Sequence, residues 1–342
     1  MTASTTMTAL SSSRKRIEWL DLAKGIGAFL VILGHVSTLK HSLILMIFSF
    51  HMPLFFILSG FIFKNKSNFK AHLKAKASTL LVPYFIASGI DIVRVIIRDY
   101  ANFSTANWVD VIKKFFFIES RPIINNPIWF LFVLFWVEIV YYFVSNFKIT
   151  TKLPLLIMLI SVSYFLDTPF YFGLGIALRA LIFFIIGDLL KNAKLTDITK
   201  KQAALFVFGF VCFLPIWFTF VQENKFANML RVGYGESYIT YLVFSLVGSF
   251  AIIFISILFE KLPFVNFWGK NSLILLICQN YFWSLYRNAI LPAIKHKGLL
   301  YFLNSKIKGA FFIAICITAL CALTAFIINK IKAHNKKAKV SA

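Results

Sequence analysis

The sequence predicts an all-α integral membrane protein with about ten transmembrane helices and both termini in the cytoplasm. The composition is the first reason: 59% of the residues are hydrophobic and 14% are charged, whereas a soluble domain is roughly 45–50% apolar and about 25% charged. The second reason is that apolar runs near 20 residues recur, the length with which an α-helix crosses about 30 Å of hydrocarbon. The third is that the basic residues lie in short segments between these runs.

Ten apolar runs account for the predicted helices, in order along the chain. They cover residues 19–39, 42–63, 78–97, 127–145, 153–166, 172–190, 203–221, 237–259, 272–292 and 310–331. An even number of spans returns the chain to the side on which it began, so the termini share a side. We therefore predict one transmembrane domain at 17–331, preceded by a tail at 1–16 and followed by a basic tail at 332–342.

The distribution of Lys and Arg sets the predicted orientation. With the N-terminus inside, the inner segments carry more of these residues than the outer segments, which is the bias typical of cytoplasmic loops. The formal net charge of +23 is therefore attributed to topology and not to nucleic-acid binding. We expect a multi-pass protein of the inner (cytoplasmic) membrane. Its outer segment at 98–126 is expected to carry an amphipathic helix around 108–117.

Several ionisable side chains fall inside the predicted spans, where each costs a few kcal/mol and therefore suggests a function. They are Asp21, Lys24, His35, His51, Glu138 and Arg179. Lys24 and His35 are separated by about 1100° of helical rotation and about 16 Å of axis, so they share one face of the first helix. They are expected to line one path without touching. The cysteines lie in apolar runs without metal-site spacing, so no metal is expected.

The second predicted helix carries His51 and, two residues later, Pro53. Proline has no backbone N–H, so it frees the carbonyl about one turn earlier, near Ser49. An open carbonyl beside an imidazole makes a polar notch in an otherwise apolar helix. The pattern therefore predicts a polar site at this level.

Four of these side chains are expected at similar depths on four helices: His35, His51, Glu138 and Arg179. One shared polar cavity explains them better than four unrelated positions. Glu138 and Arg179 are expected to pair with each other or with the histidines. The alternatives are structural: an interhelical histidine, a buried ion pair, and a Lys24 that snorkels to the cytoplasmic interface.

Two motifs resemble those of the membrane-bound acyltransferase-3 family. One runs from Leu20 to Gly27 and on to His35, with the family's basic residue, ten spacers and histidine at Lys24 and His35. The other runs from Phe50 to Phe56 and on to Ser59-Gly60. Further matches occur in the family's order at Leu81–Phe85, Pro127–Leu131, Phe183–Gly187 and Gly269–Leu273. The resemblance covers 16–290 and is closest to the subgroup related to fucose 4-O-acetylases.

The resemblance implies O-acetyl transfer from cytoplasmic acetyl-CoA, as co-substrate, to a hydroxyl of a cell-surface or secreted glycan or its lipid-linked precursor. It makes His35 the base or a transient acyl acceptor. It makes Lys24 the residue that meets CoA as CoA approaches from the cytoplasm. The resemblance also assigns Lys74 and Lys76 to the binding of the CoA phosphates. It assigns four residues to substrate binding: Trp129, Arg231, Asn271 and Ser272. The chain departs from the family pattern at Gln279, where a histidine is common, and in having only lysines at the basic pair.

A transporter of glycans or small molecules is the alternative class. Transporters often show two pseudo-symmetric halves with matched broken helices. Here the polar residues concentrate in the first two helices and have no counterpart in the second half. The expected partners are therefore acetyl-CoA, a glycan or lipid-linked sugar acceptor, and membrane lipid.

Overall fold

The computed structural model describes residues 16–65, 68–98, 113, 116, 127–165, 171–192, 195–224, 229 and 237–341. Within these ranges the regular elements are helices, and they contain no strand. The all-α prediction is confirmed for this part of the chain. The amphipathic helix predicted around 108–117 lies outside the described residues, apart from Lys113 and Phe116.

Fourteen α-helices make up the described part of the chain. They are α1 (Glu18–His35), α2 (His41–Phe61), α3 (Phe69–Lys76), α4 (Val82–Arg98), α5 (Trp129–Val144), α6 (Ile149–Phe165), α7 (Leu174–Asn192), α8 (Lys200–Asn224), α9 (Tyr238–Leu258), α10 (Pro263–Lys270), α11 (Ser272–Leu285), α12 (Leu291–Ala293), α13 (Lys297–Leu303) and α14 (Lys308–Ser341). A π-helical turn at Ala77–Leu81 joins α3 to α4, and another at Tyr286–Ile290 joins α11 to α12.

Five helices in the described ranges are long and apolar enough to cross a membrane. They lie at His41–Phe61, Phe69–Val93, Lys200–Thr219, Tyr238–Leu258 and Lys308–Asn335, and two shorter apolar helices lie at Trp129–Val144 and Ile149–Val162. A multi-pass helical membrane protein is therefore supported. The count of ten spans and the cytoplasmic placement of both termini stay predictions. Predicted boundaries differ in places: α1 ends at His35 and not at residue 39, and the span predicted at 78–97 lies within a helix that begins at Phe69.

Glycines bring the backbones of α2 and α7 into direct contact. A Cβ at Gly60 would overlap the carbonyl of Phe184, and a Cβ at Gly187 would overlap the carbonyl of Ile57. Small residues allow such close helix packing in membranes, where van der Waals contact is a main source of association. Two of the sequence motifs, which end at Gly60 and Gly187, therefore form one helix–helix contact.

The start of α1 packs in the same way against the short helix α10, which the apolar pattern did not predict. A Cβ at Gly25 would overlap the carbonyl of Val265, and a Cβ at Gly269 would overlap the carbonyl of Asp21. Asn266 strengthens this junction, because its Nδ2 donates to the carbonyl of Glu18 at 3.0 Å. The glycine-rich motif of α1 thus fixes the helix that carries Lys24 and His35 in place.

Loop contacts show which helix ends lie together. At one end, the N–H of Lys40 donates to the carbonyl of Lys306 at 2.9 Å. At the other, Lys191 Nζ donates to the carbonyl of Phe63 at 3.0 Å. Segments predicted on one side of the membrane therefore meet one another. Which end faces the cytoplasm stays a prediction.

Candidate active site

His35 and His51 share the same local geometry on neighbouring helices. The Nδ1 atom of His35 lies 2.7 Å from the carbonyl of Val31, and the Nδ1 of His51 lies 2.7 Å from the carbonyl of Ile47. A carbonyl only accepts hydrogen bonds, so Nδ1 carries the proton in both rings. Nε2 is therefore the atom of each neutral imidazole that is able to accept a proton.

Phe48 contacts both imidazoles. Its ring centroid is 5.7 Å from that of His35 and 5.1 Å from that of His51. His51 is buried, whereas His35, the last residue of α1, is partly exposed. The structure thus brings together the two histidines that the sequence predicts for the site. A ligand would reach His35 more easily than His51.

The polar notch expected at Pro53 has a partner on α9. Ser245 Oγ donates to the carbonyl of Ser49, four residues before Pro53, at 2.6 Å. Ser249 Oγ adds a longer bond of 3.3 Å to the carbonyl of Phe50. The carbonyl freed by proline is therefore satisfied by a hydroxyl, which holds this part of α2 in one position. Sequence reasoning missed both serines, because single serines are common in apolar helices.

Charged groups near the start of α1 are arranged around Asp21. The Arg16 guanidinium donates to both carboxylate oxygens of Asp21, and this hydrogen bond raises the pKa of Arg16 above its usual value. Lys24, one turn further along α1, is only partly exposed. Within the described part of the chain, its Nζ has no hydrogen bond or ion pair. Asp21 attracts the Lys24 ammonium electrostatically, and the hydrogen-bond donors of its Nζ are left for an anionic ligand.

A half-open cavity of about 90 Å³ lies between α1, α2, α5 and α11. Ala28, Met52, Phe55, Phe130 and Leu276 form most of its apolar wall. Ala28 lies on the same face of α1 as Lys24 and His35, about 6 Å from the first and about 10 Å from the second along the axis. The cavity is therefore positioned between these two residues.

The polar wall of this cavity comes from α11. Ser272 and Gln279 contribute to the lining. Gln279 is 4% exposed, and its Nε2 donates to the carbonyl of Leu276 at 3.3 Å. Its Oε1 has no hydrogen-bond partner among the described residues. A buried amide oxygen left in this state costs free energy that a ligand recovers only by donating a hydrogen bond to it.

The expected pairing of Glu138 with Arg179 or with a histidine is wrong. Lys76 Nζ donates to Glu138 Oε1 at 2.7 Å across α3 and α5. Arg179 is buried in α7, where its carbonyl accepts a hydrogen bond from the Tyr238 hydroxyl. Glu138 thus belongs to an ion pair with the last residue of α3. The cavity described above is lined by none of the four side chains expected to share one.

The other predicted binding residues are found in different surroundings. Lys74 is exposed on α3, and Trp129 is buried beside the cavity-lining Phe130. Asn271 links helices, since its Oδ1 accepts from Asn329 Nδ2 at 2.8 Å. Arg231 lies outside the described residues. Of the predicted substrate residues that are described, Ser272 lines the cavity.

A second polar network was not predicted. The Tyr141 hydroxyl donates to Asp188 Oδ2 at 2.6 Å, and Lys152 Nζ donates to the Tyr141 hydroxyl at 3.2 Å. Lys152 is buried although it was counted among the loop lysines that set topology. These side chains join α5, α6 and α7 close to the Lys76–Glu138 pair. Among the described residues, no group of three His, Cys, Asp or Glu side chains is placed to hold a metal ion.

Comparison with known proteins gives one match. Residues 17–330 match the family acyltransferase 3, described as an acyltransferase domain. No curated protein and no solved structure matches the chain significantly. The matched range includes every candidate residue of the site.

Proposed function

We propose, from the premise that the chain belongs to the acyltransferase-3 family, that this membrane acyltransferase is an O-acetyltransferase. It moves an acetyl group from cytoplasmic acetyl-CoA to a hydroxyl of a cell-surface or secreted glycan, or of its lipid-linked precursor. The fucose 4-O-acetylase-like motifs support acetyl as the group and a sugar hydroxyl as the acceptor. The membrane is the inner, cytoplasmic one, since CoA is a cytoplasmic cofactor.

The protonation geometry of His35 carries this proposal. Nδ1 is held by the carbonyl of Val31, so Nε2 takes the proton of the attacking sugar hydroxyl. The hydroxyl oxygen then forms a bond to the acyl carbon, the carbon–sulfur bond breaks, and the CoA thiolate leaves to take up a proton. His35 is partly exposed at the end of α1, as a base that meets a bulky acceptor needs to be.

His51 acts in support of His35. It is buried, it contacts the same Phe48 ring, and its helix is held by Ser245 at the proline break. These contacts suit a positioning residue that keeps Phe48 and the first imidazole in place. A direct proton relay between the two rings is not required for this role.

Acetyl-CoA approaches along the face of α1 that carries His35, at the level of Lys24. Lys24 has no ion-pair partner in the described part of the chain, so it is available to attract the phosphates of CoA. Lys74, on the exposed face of α3, provides a further positive charge for these phosphates. Lys76 is less suited, because Glu138 already neutralises it. The apolar packing around the path limits the entry of water and therefore the hydrolysis of the thioester.

The test is acetyl incorporation into glycan, measured by mass spectrometry in cells that lack the endogenous protein and express each variant. We expect His35→Ala to lose incorporation by at least a hundredfold, the usual contribution of a general base, with unchanged extracted yield. His41→Ala is the matched control, because this exposed histidine begins α2 and lies outside the site. Normal incorporation by His35→Ala would refute the assignment.

A further inference from the structure

The cavity between α1, α2, α5 and α11 has a size that suits a small chemical group. A cavity of about 150 Å³ in a protein core holds benzene, which has six carbon atoms. By the same ratio, the volume of about 90 Å³ found here holds roughly four non-hydrogen atoms. An acetyl group has three such atoms and a propionyl group has four. A hexanoyl group has seven and exceeds the space.

The cavity lies between the residue proposed to attract CoA, Lys24, and the proposed base, His35. Ala28 places its wall between Lys24 and His35 on one face of α1. Met52 directly follows His51 on α2, and Phe55 lies one turn further along that helix. A thioester that moves along this face of α1 from Lys24 toward His35 therefore passes the level of the cavity.

The chemistry of the wall excludes charge. None of the lining residues is ionisable, and most are aliphatic or aromatic. The Gln279 amide is neutral: one N–H of its Nε2 is bonded to the carbonyl of Leu276, and its second N–H and its Oε1 are left for a ligand. A carboxylate buried here would meet only neutral donors, the hydroxyl of Ser272 and one N–H of Gln279, and no positive charge. Burial of a charge without a partner is strongly unfavourable.

We propose that this cavity is the acyl pocket of the enzyme, and that it restricts transfer to short uncharged acyl groups. Acetyl and propionyl groups fit it, whereas hexanoyl is excluded by size and succinyl by charge. Leu276 on α11 and Ala28 on α1 set the limit from two different helices. The inference rests on the proposed acyl-CoA-dependent function and adds the residues that select the donor.

The test compares donors in membranes that contain the full-length protein and its glycan acceptor. Acetyl-, propionyl-, hexanoyl- and succinyl-CoA are supplied separately, and kcat/KM for acyl incorporation is measured by mass spectrometry. We expect the native protein to discriminate by at least tenfold against hexanoyl and succinyl donors, since one excluded methylene alone changes such ratios by about 10-fold to 200-fold. Equal use of succinyl-CoA or hexanoyl-CoA by the native protein would overturn the proposal.

Two variants move the size limit in opposite directions. Leu276→Ala should raise the hexanoyl-to-acetyl ratio at least tenfold, and Ala28→Leu should lower the propionyl-to-acetyl ratio by a similar factor. Leu275→Ala is the matched control, because this adjacent, fully buried leucine does not line the cavity. It should leave both ratios unchanged.

The outcomes separate the two proposals. If the native protein incorporates no acyl group from any donor, the proposed function fails. If it incorporates acetyl but Leu276→Ala and Ala28→Leu show the ratios of Leu275→Ala, the function stands and the pocket assignment is wrong. Should one pocket variant give no folded protein, the other variant and the native donor profile still decide the matter.

Discussion

The ion pair between Lys76 and Glu138 provides the most quantitative prediction. Its two charged atoms are 2.7 Å apart, and the side chain of Glu138 is 6% exposed while that of Lys76 is 24% exposed. Removal of the lysine by Lys76→Met leaves a buried carboxylate without its counter-charge. Loss of one partner of a buried pair typically costs about 3–5 kcal/mol, because the remaining charge stays desolvated.

The reverse substitution should be milder. Glu138→Gln leaves the more exposed lysine, whose flexible stem is able to turn its ammonium toward water. The double variant Lys76→Met with Glu138→Met should recover most of the lost stability, since apolar replacement of a buried pair is often neutral or stabilising. The native protein and the double variant should therefore be the most stable, Glu138→Gln less stable, and Lys76→Met the least stable.

The measurement is the thermal unfolding midpoint of detergent-purified protein, taken beside KM for acetyl-CoA. Lys74→Met is the control, because it removes the same charge from the exposed face of the same helix. It should keep the native midpoint and raise KM for acetyl-CoA, with an effect that fades as salt increases. If Lys76→Met keeps the native midpoint and raises KM instead, Lys76 contacts the donor and the structural reading of the pair is refuted.

Two further substitutions test the packing that positions the site. Ser245→Ala removes the hydroxyl that satisfies the Ser49 carbonyl and should cost about 1–3 kcal/mol of stability, measured as a lower thermal midpoint; an unchanged midpoint would show that water satisfies the carbonyl. Gly269→Ala forces a Cβ onto the carbonyl of Asp21 and should sharply reduce the yield of folded protein, whereas Gly209→Ala, with open space around it, should not. Equal yields for the two glycine variants would contradict the close approach of α1 and α10.

The positions of the long helices were predictable from local information. Apolar runs near 20 residues determine them, because no other local pattern satisfies every backbone group in lipid. The one-face relation of Lys24 and His35 follows from helical periodicity alone. The polar notch at Pro53 was also predictable, since the missing N–H is a property of the residue itself.

The boundary at His35 and the short helix α10 were not predictable in this way. The chain turns after residue 35 where Val36 leaves the helical conformation, and an apolar run does not indicate such a turn. Helix α10 is only eight residues long, below the length at which a span is recognised. It is stabilised by contact with α1, which lies far away in the sequence.

The sequence by itself determined the membrane class, the likeness to the acyltransferase family and the residues able to carry charge or take up a proton. Only the tertiary structure decided how these residues are paired. Glu138 forms an ion pair with Lys76 and not with Arg179. Ser245 donates a hydrogen bond to the carbonyl of Ser49, four residues before Pro53, and a cavity lies beside Ala28. Each of these depends on the rotation and depth of one helix against another. Helix packing sets both through contacts between distant glycines and serines, which periodicity along a single helix does not encode.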